Sequence, residues 1–264
     1  MTEPMTERST HMSQTRNWFD AGGSNYANFR PTYPQQLVDE LARVTPHHRV
    51  AVDVGCGTGQ LTGLLAGSFE EVIGIDPSAD QIKNARPHDR VRYAVAPAEQ
   101  LPVEDASVDL ITVAQAAHWF DLPKFYDEVR RIAAPGAVIA LVSYGVNELD
   151  PDLTDRFLKF YTDEIGPYWP PERAIVDEGY RTILFPFEEL EVPPIHIESK
   201  LTLEGLLGYF STWSAVRAAT EAGRGDILQS FAVDLAELWG DPEAARTVRW
   251  PLGMRVGVVS SAHR

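Results

Sequence analysis

Between residues 49 and 145 the sequence predicts an α/β fold, a parallel sheet with helices on both faces. Three observations carry this. Short apolar segments alternate with helix-patterned ones. The apolar segments run continuously, as strands buried on both faces must. A glycine run stands where the first strand gives way to a helix, as in doubly wound folds.

The elements follow in order. MTEPMTERSTHMSQTR, residues 1–16, is polar and without apolar periodicity, and reads as a disordered tail. The aromatic and proline-marked NWFDAGGSNYANFRPTYP comes next. Leu37, Val38, Leu41 and Val44 then recur at helical spacing. RVAVDVG is a first strand, GQLTGLLAG a helix and EEVIGID a second strand. Ser78 is the expected N-cap of a helix reaching Ala85. VRYAVA and SVDLITVAQ are the third and fourth strands. Leu122 to Ala134 is a helix stopped by Pro135-Gly136, and AVIALVSYG is the fifth strand.

After Gly145 the pattern changes. Asp152 to Ile165 reads as a helix, GPYWPPERAIVDEGYRTILFPF as a proline- and aromatic-rich stretch, and IHIESKLTL as a strand. Helices are expected at Leu203–Trp213 and Ile227–Trp239, and VRWPLGMRVGVVS is a closing strand. The expected organisation is thus a tail (1–16), a core with an N-terminal lid segment (17–145), an α-rich insertion (146–245) and a closing strand (246–264).

Composition narrows the function. The chain has 264 residues and a net charge of −15. From 147 to 245 there are 7 basic and 20 acidic residues, so nearly all the excess sits in the insertion. Nucleic acid and anionic membranes demand a positive footprint, which this pattern lacks. No apolar run approaches the roughly 20 residues of a membrane span, and no secretory leader is evident. The single cysteine, Cys56, excludes an internal disulfide and suits a reducing cytoplasm. It reads as a small loop residue, since nothing near it marks an activated thiol. His47 and His48 read as solvated loop, and no cluster with metal-ligand spacing is present.

The informative string is Asp53-Val54-Gly55-Cys56-Gly57-Thr58-Gly59-Gln60. The dinucleotide fingerprint needs a sixth-position glycine after Gly55, where Gln60 stands. Asp76 ends the second strand 21 residues after Gly55, a position from which a carboxylate can accept ribose hydroxyls. Two alternatives remain at this point. One is a nicotinamide-dependent oxidoreductase, opposed by Gln60. The other is a non-catalytic module that only binds the cofactor, as a sensor or partner subunit, and would have no substrate cavity behind Trp119.

DVGCGTGQLT, GIDPS, APAEQLP and VDLITVAQAAHWF, in this order, resemble the class I S-adenosylmethionine (SAM) dependent methyltransferases. The resemblance implies a Rossmann-like, seven-stranded, mostly parallel sheet with an antiparallel last strand. It implies SAM as cofactor and S-adenosylhomocysteine as product, the cofactor-binding alternative then being a non-catalytic SAM-binding module. Asp53, Gly55, Gly57, Thr58, Gly59 and Gln60 would hold its amino-acid end. Asp76 would bind the ribose, with Pro77, Gln81, Ala98 and Glu99 around the adenine and Gln115 and Ala116 beside the methionine part. Pro97 departs from the acid frequent before the Ala-Glu pair. NYANFRPTYP, AQAAHWFD, GPYWPPER, FSTWSAV and VRWPLGMRVG are similar to a small-molecule branch that includes trans-aconitate methyltransferases. That likeness implies that Tyr26 and Arg30 lie over the cofactor.

His118 follows the fourth strand at the ligand-binding edge of such a sheet. It reads either as a base or orienting group, or as a hydrogen-bonded frame residue. Trp119, Tyr168, Trp169, Arg173, Tyr180, Trp213 and Arg255 are the candidates for the substrate pocket, set against the reading that the aromatics are the insertion's own core. Arginine would suit a carboxylate substrate. Glu188, Glu189 and Glu191 read as a solvated face. No partner beyond a small molecule is implied.

Overall fold

The computed structural model describes residues 31–260. Tyr26, Arg30, the expected tail and the last four residues lie outside the described residues.

Helix α1 (Gln35–Val44) buries Leu37, Val38 and Leu41, the stripe that the spacing predicts. Strands β1 (Val50–Val54), β2 (Glu71–Asp76) and β3 (Val91–Val95) are separated by helices α2 (Gln60–Leu65) and α3 (Ala79–Lys83). The Ser78 hydroxyl accepts the Gln81 N–H and caps α3 as expected. Strand β4 (Val108–Ala114) leads through a short 3₁₀ turn at Ala117–Trp119 into helix α4 (Leu122–Ile132) and strand β5 (Ala133–Tyr144). The helix stops at Ile132, and Pro135-Gly136 lies inside the strand. The β4–β5 register shifts between Val108 and Leu110, so this Pro-Gly pair accompanies a bulge.

The insertion holds α5 (Pro151–Lys159), whose continuation Phe160–Glu164 widens into a π-helical turn, then α6 (Arg173–Asp177), the two-residue β6 (Glu188–Glu189) and β7 (His196–Leu201). Helices α7 (Leu203–Ser211), α8 (Ser214–Glu221) and α9 (Asp226–Trp239) precede the closing strand β8 (Arg246–Val258). The sheet order is β3-β2-β1-β4-β5-β8-β6. Strands β3 through β5 are mutually parallel and β8 is antiparallel to β5. This is the expected mostly parallel Rossmann-like sheet, with β7 pairing in addition to the first half of β8.

Alternate strand residues serve two cores. Val72, Leu110, Val138, Ala140 and Val142 join α1, α2 and the insertion's aromatics in one. Val52, Ile73, Ile111, Val113, Ile139 and Leu141 pack with α4 in the other. The insertion therefore shares its core with one face of the sheet. Among the described residues no helix is long and apolar enough to cross a membrane.

Candidate active site

The carboxyl ends of β1, β2, β4 and β5 converge, and the chain reverses there through glycines. Gly55, Gly57 and Gly59 have φ of +73°, +55° and +81°. L side chains rarely enter this region, which explains the glycine at each turn. Space matters too: a Cβ on Gly55 would meet the Ala116 Cβ at 2.5 Å, and one on Gly59 would meet the Tyr93 hydroxyl at 2.1 Å.

Two carboxylates brace this loop. Asp76 accepts the Gly57 N–H at 2.9 Å and the Ser78 N–H at 2.8 Å, one on each oxygen. Asp53 is buried and accepts the hydroxyls of Thr62 at 2.6 Å and Thr112 at 2.8 Å. Burial raises its carboxyl to about 6, against these hydrogen bonds. Burial also pushes the Cys56 thiol well above its ordinary range, so Cys56 is no ready nucleophile.

A first cavity of about 270 Å³ is lined by Asp53, Gly55, Cys56, Gly57, Thr58, Gln60, Leu61, Gln81, Ala114, Gln115, Tyr33 and Tyr144. Seven expected cofactor residues are on that list. Gly59, Asp76, Pro77, Ala98, Glu99 and Ala116 are not. Gly59 and Ala116 are packed beneath the loop, and Asp76 holds it from the side. Ala98 is buried, Pro77 is exposed, and Glu99 accepts the Asp121 N–H at 2.9 Å, at the start of α4.

A second cavity of about 480 Å³ shares Gln81, Gln115 and Tyr144 with the first. Gln115 has φ of +58°, and its side chain donates to the Tyr144 carbonyl at 2.7 Å. A non-glycine residue held in that conformation at the junction of two cavities is backbone strain of the kind that clusters at ligand sites. His118, Trp119, Trp169, Arg173 and Trp213 line the second cavity, together with Glu172, Tyr209 and Arg217. Arg173 packs 4.6 Å above the Trp169 ring, and its Nε is held by Asp177 at 2.8 Å and the Tyr161 hydroxyl at 3.0 Å. Trp213 is both wall and core, with its ring 4.6 Å from Phe210 and 5.4 Å from Trp169.

Three expected substrate residues are placed elsewhere. Tyr168 packs against the insertion core. Arg255 binds Glu189 and the carbonyls of Tyr180 and Ile183, so it ties down the turn after α6 instead of facing a cavity. Tyr180 is fully buried and meets His118 from behind, Oη to Nδ1 at 3.0 Å. Burial, with the Arg173 charge adding to it, lowers the His118 imidazole to about 4. His118 is thus neutral near neutral pH.

Sequence reasoning missed Tyr33, Tyr144, Glu172, Tyr209 and Arg217. Tyr144 was within reach, because it ends a parallel strand on the edge where ligands bind. Arg217 sits at an exposed position of α8, off the face that buries Ala215, Val216 and Ala219, where a charge reads as solvated surface.

The comparisons with known proteins agree with this architecture. Residues 52–141 match the family model described as a methyltransferase domain. A Dictyostelium discoideum protein that carries a provisional methyltransferase name is 38% identical over 225 residues, covering 84% of this chain and 86% of its own. A Saccharomyces cerevisiae protein, provisionally named as SAM-dependent, is 36% identical over 141 residues, half of this chain and 47% of its own. A solved structure from Anaeromyxobacter dehalogenans, provisionally named a type II methyltransferase, shares 46% identity and superposes with a TM-score of 0.84 over 87% of this chain and 98% of that one.

Proposed function

The chain belongs to the methyltransferase-domain family, and from that premise we propose that it moves a methyl group from SAM to an anionic oxygen, a carboxylate, on a small acidic molecule. The nicotinamide reading falls with family membership. A second cavity lies behind Trp119, which also counts against a purely cofactor-binding module.

The residues of the first cavity suit SAM. Gly55 and Gly57 line it, where bare backbone would let a ligand come close, and Asp53 and Gln115 line it beside them. When bound, SAM supplies an electrophilic methyl on a sulfonium. The protein's share is alignment and exclusion of water. Gln81, Gln115 and Tyr144, common to both cavities, would frame the passage between donor and acceptor.

One observation carries the acceptor class. The segment 147–245 has 7 basic residues against 20 acidic ones, yet Arg173 and Arg217, two of the seven, line this cavity, with Glu172 as the acidic residue there. An arginine pair concentrated against an acidic background suits an anion. Asp177 and Tyr161 engage Arg173 at Nε, so its terminal nitrogens are those that would meet a carboxylate. A carboxylate is already ionised near neutral pH and needs no base. This agrees with the likeness to the trans-aconitate methyltransferase branch. The acidic chain is consistent with a small-molecule acceptor and not with nucleic acid.

The test uses SAM labelled on its methyl group with a panel of small carboxylic acids that includes trans-aconitate. Base-labile label released as methanol is the expected result. Label that resists base, on phenols, alcohols or amines, would overturn the carboxylate reading.

A further inference from the structure

The structure assigns Tyr180 as a positioning residue that locks the His118 ring with its proton on Nε2, so that His118 presents a hydrogen-bond donor to the acceptor and not a base. This rests on the anionic-acceptor reading for its purpose, but the geometry behind it does not.

Tyr180 is fully buried, and its Oη lies 3.0 Å from His118 Nδ1. Among the described residues that imidazole nitrogen is the hydroxyl's one hydrogen-bond partner. A fully buried O–H that donated to nothing would be a costly unpaired donor, whereas the imidazole has a second nitrogen on which to carry its own proton. The O–H therefore donates to Nδ1. A neutral imidazole that accepts at one nitrogen carries its hydrogen on the other. His118 lines the second cavity while Tyr180 does not, so Nε2 is the nitrogen left for the acceptor.

The surroundings hold this arrangement. Tyr180 has φ of +62°, an uncommon conformation for a bulky residue. It follows Gly179, also left-handed at +63°, and its N–H returns to the Ile175 carbonyl at 3.0 Å. Arg255 binds the Tyr180 carbonyl at 3.3 Å and the Ile183 carbonyl at 2.8 Å, which clamps the turn from the sheet side. Gly253 on β8 allows the close approach: a Cβ there would meet the Gly179 Cα at 2.3 Å. The backbone is strained, anchored and packed so that one hydroxyl sits behind one imidazole. Strain held in this way at a ligand cavity marks function.

A donor at Nε2 would stabilise an oxygen anion in place, beside the arginines. A base there would need the lone pair on Nε2, which the Tyr180 proton denies it. Acceptors that must lose a proton would then be poor substrates.

Long-range ¹⁵N–¹H NMR of the full chain labelled in histidine reads the tautomer directly, without substrate or cofactor. Among the seven histidines, the signals of His118 are identified by their loss in a His118→Gln variant. In wild type, His118 Nδ1 should resonate as an unprotonated nitrogen and Nε2 as a protonated one, with no titration between pH 6 and 8. In Tyr180→Phe the ring should show both tautomers. The same variant should lower kcat/KM about tenfold, the worth of a hydrogen bond to a charged partner made correctly oriented. His118→Gln, which keeps an N–H donor but is no base, should retain most of the activity that His118→Ala loses. A wild-type spectrum with the proton on Nδ1 overturns the assignment, whatever the substrate proves to be. So does a His118→Gln variant as inactive as His118→Ala. The carboxylate reading is judged separately, by the base-lability of the product.

Discussion

Asp53→Asn should make the protein more stable at pH 8 while weakening its hold on the cofactor. The carboxyl is buried and raised from its ordinary 3.8 to about 6. At about 1.4 kcal/mol per pH unit, keeping it ionised costs the fold roughly 3 kcal/mol above pH 6. The direction follows from linkage. Above pH 6 both folded and unfolded chains carry the charge, and the folded chain bears the full cost. Between pH 6 and 3.8 the folded chain holds a proton that the unfolded chain lacks, so this group's contribution improves as pH falls. Below 3.8 it is flat. Asparagine has the same shape. Its oxygen can keep the Thr62 hydroxyl, and its amide can donate to Thr112, whose proton then turns to the Val52 carbonyl 3.5 Å away. The second amide N–H, a donor that the carboxyl does not bring, returns roughly 1–2 kcal/mol of the gain. The net is a stabilisation of about 1–2 kcal/mol at pH 8, or roughly 3–6 °C in Tm for a chain of this size. Urea unfolding of both proteins at pH 8 and pH 5 measures it. His118 contributes in the opposite sense, since its imidazole is lowered to about 4 and folded stability is lost as pH falls from 6.5 toward that value. It does so equally in both proteins and cancels from the difference. Calorimetry with S-adenosylhomocysteine at pH 8 should show at least about a tenfold loss of affinity, 1.4 kcal/mol. A stability difference identical at pH 8 and pH 5, or an asparagine variant less stable at pH 8, would refute the reasoning.

Three further outcomes are expected. Gly55→Ala forces a side chain into φ of +73° and to 2.5 Å from the Ala116 Cβ; it should cost about 2 kcal/mol or more in unfolding free energy and abolish S-adenosylhomocysteine binding measured by calorimetry. Phe231→Ala removes a ring stacked 4.0 Å from Phe160, with the Arg156 guanidinium 4.8 Å over it; urea unfolding should show a loss of about 3–5 kcal/mol. Arg173→Lys keeps the charge but not the planar fork on Trp169; initial-rate kinetics should show KM for an anionic acceptor raised about tenfold, with S-adenosylhomocysteine affinity unchanged.

The parallel core was legible because buried strands leave continuous apolar runs, and the Ser78 cap because its chemistry is local. The rest depended on partners distant in sequence. Pro135-Gly136 reads as a helix stop, but the chain has already entered β5, and the pair serves the bulge against Val108 and Leu110. Strand β6 exists only as two residues paired to Val258 and Gly257 of β8. Asp53 reads as a ligand-facing acid and does line the first cavity, but the hydroxyls that also brace its two oxygens, Thr62 and Thr112, lie 9 and 59 positions away and leave no local signal. By residue type alone, Tyr180 and Arg255 read as pocket residues. Only the folded arrangement shows Tyr180 behind the histidine and Arg255 behind Tyr180.

Strand β8 is one piece of chain with two employers. Its first half, from Arg246 to Pro251, pairs with β7, and its second half, from Leu252 to Val258, pairs with β5. Ser143 and Gly253, joined across that second half, are 110 positions apart. During synthesis, then, β5 emerges long before its neighbour and waits with an open backbone edge, the geometry that invites pairing with another chain. Closure of so long a loop is slow, and a single late event completes both the sheet and the insertion. Truncation or mispairing of β8 should therefore show first as a loss of soluble yield, before any loss of catalysis can be measured.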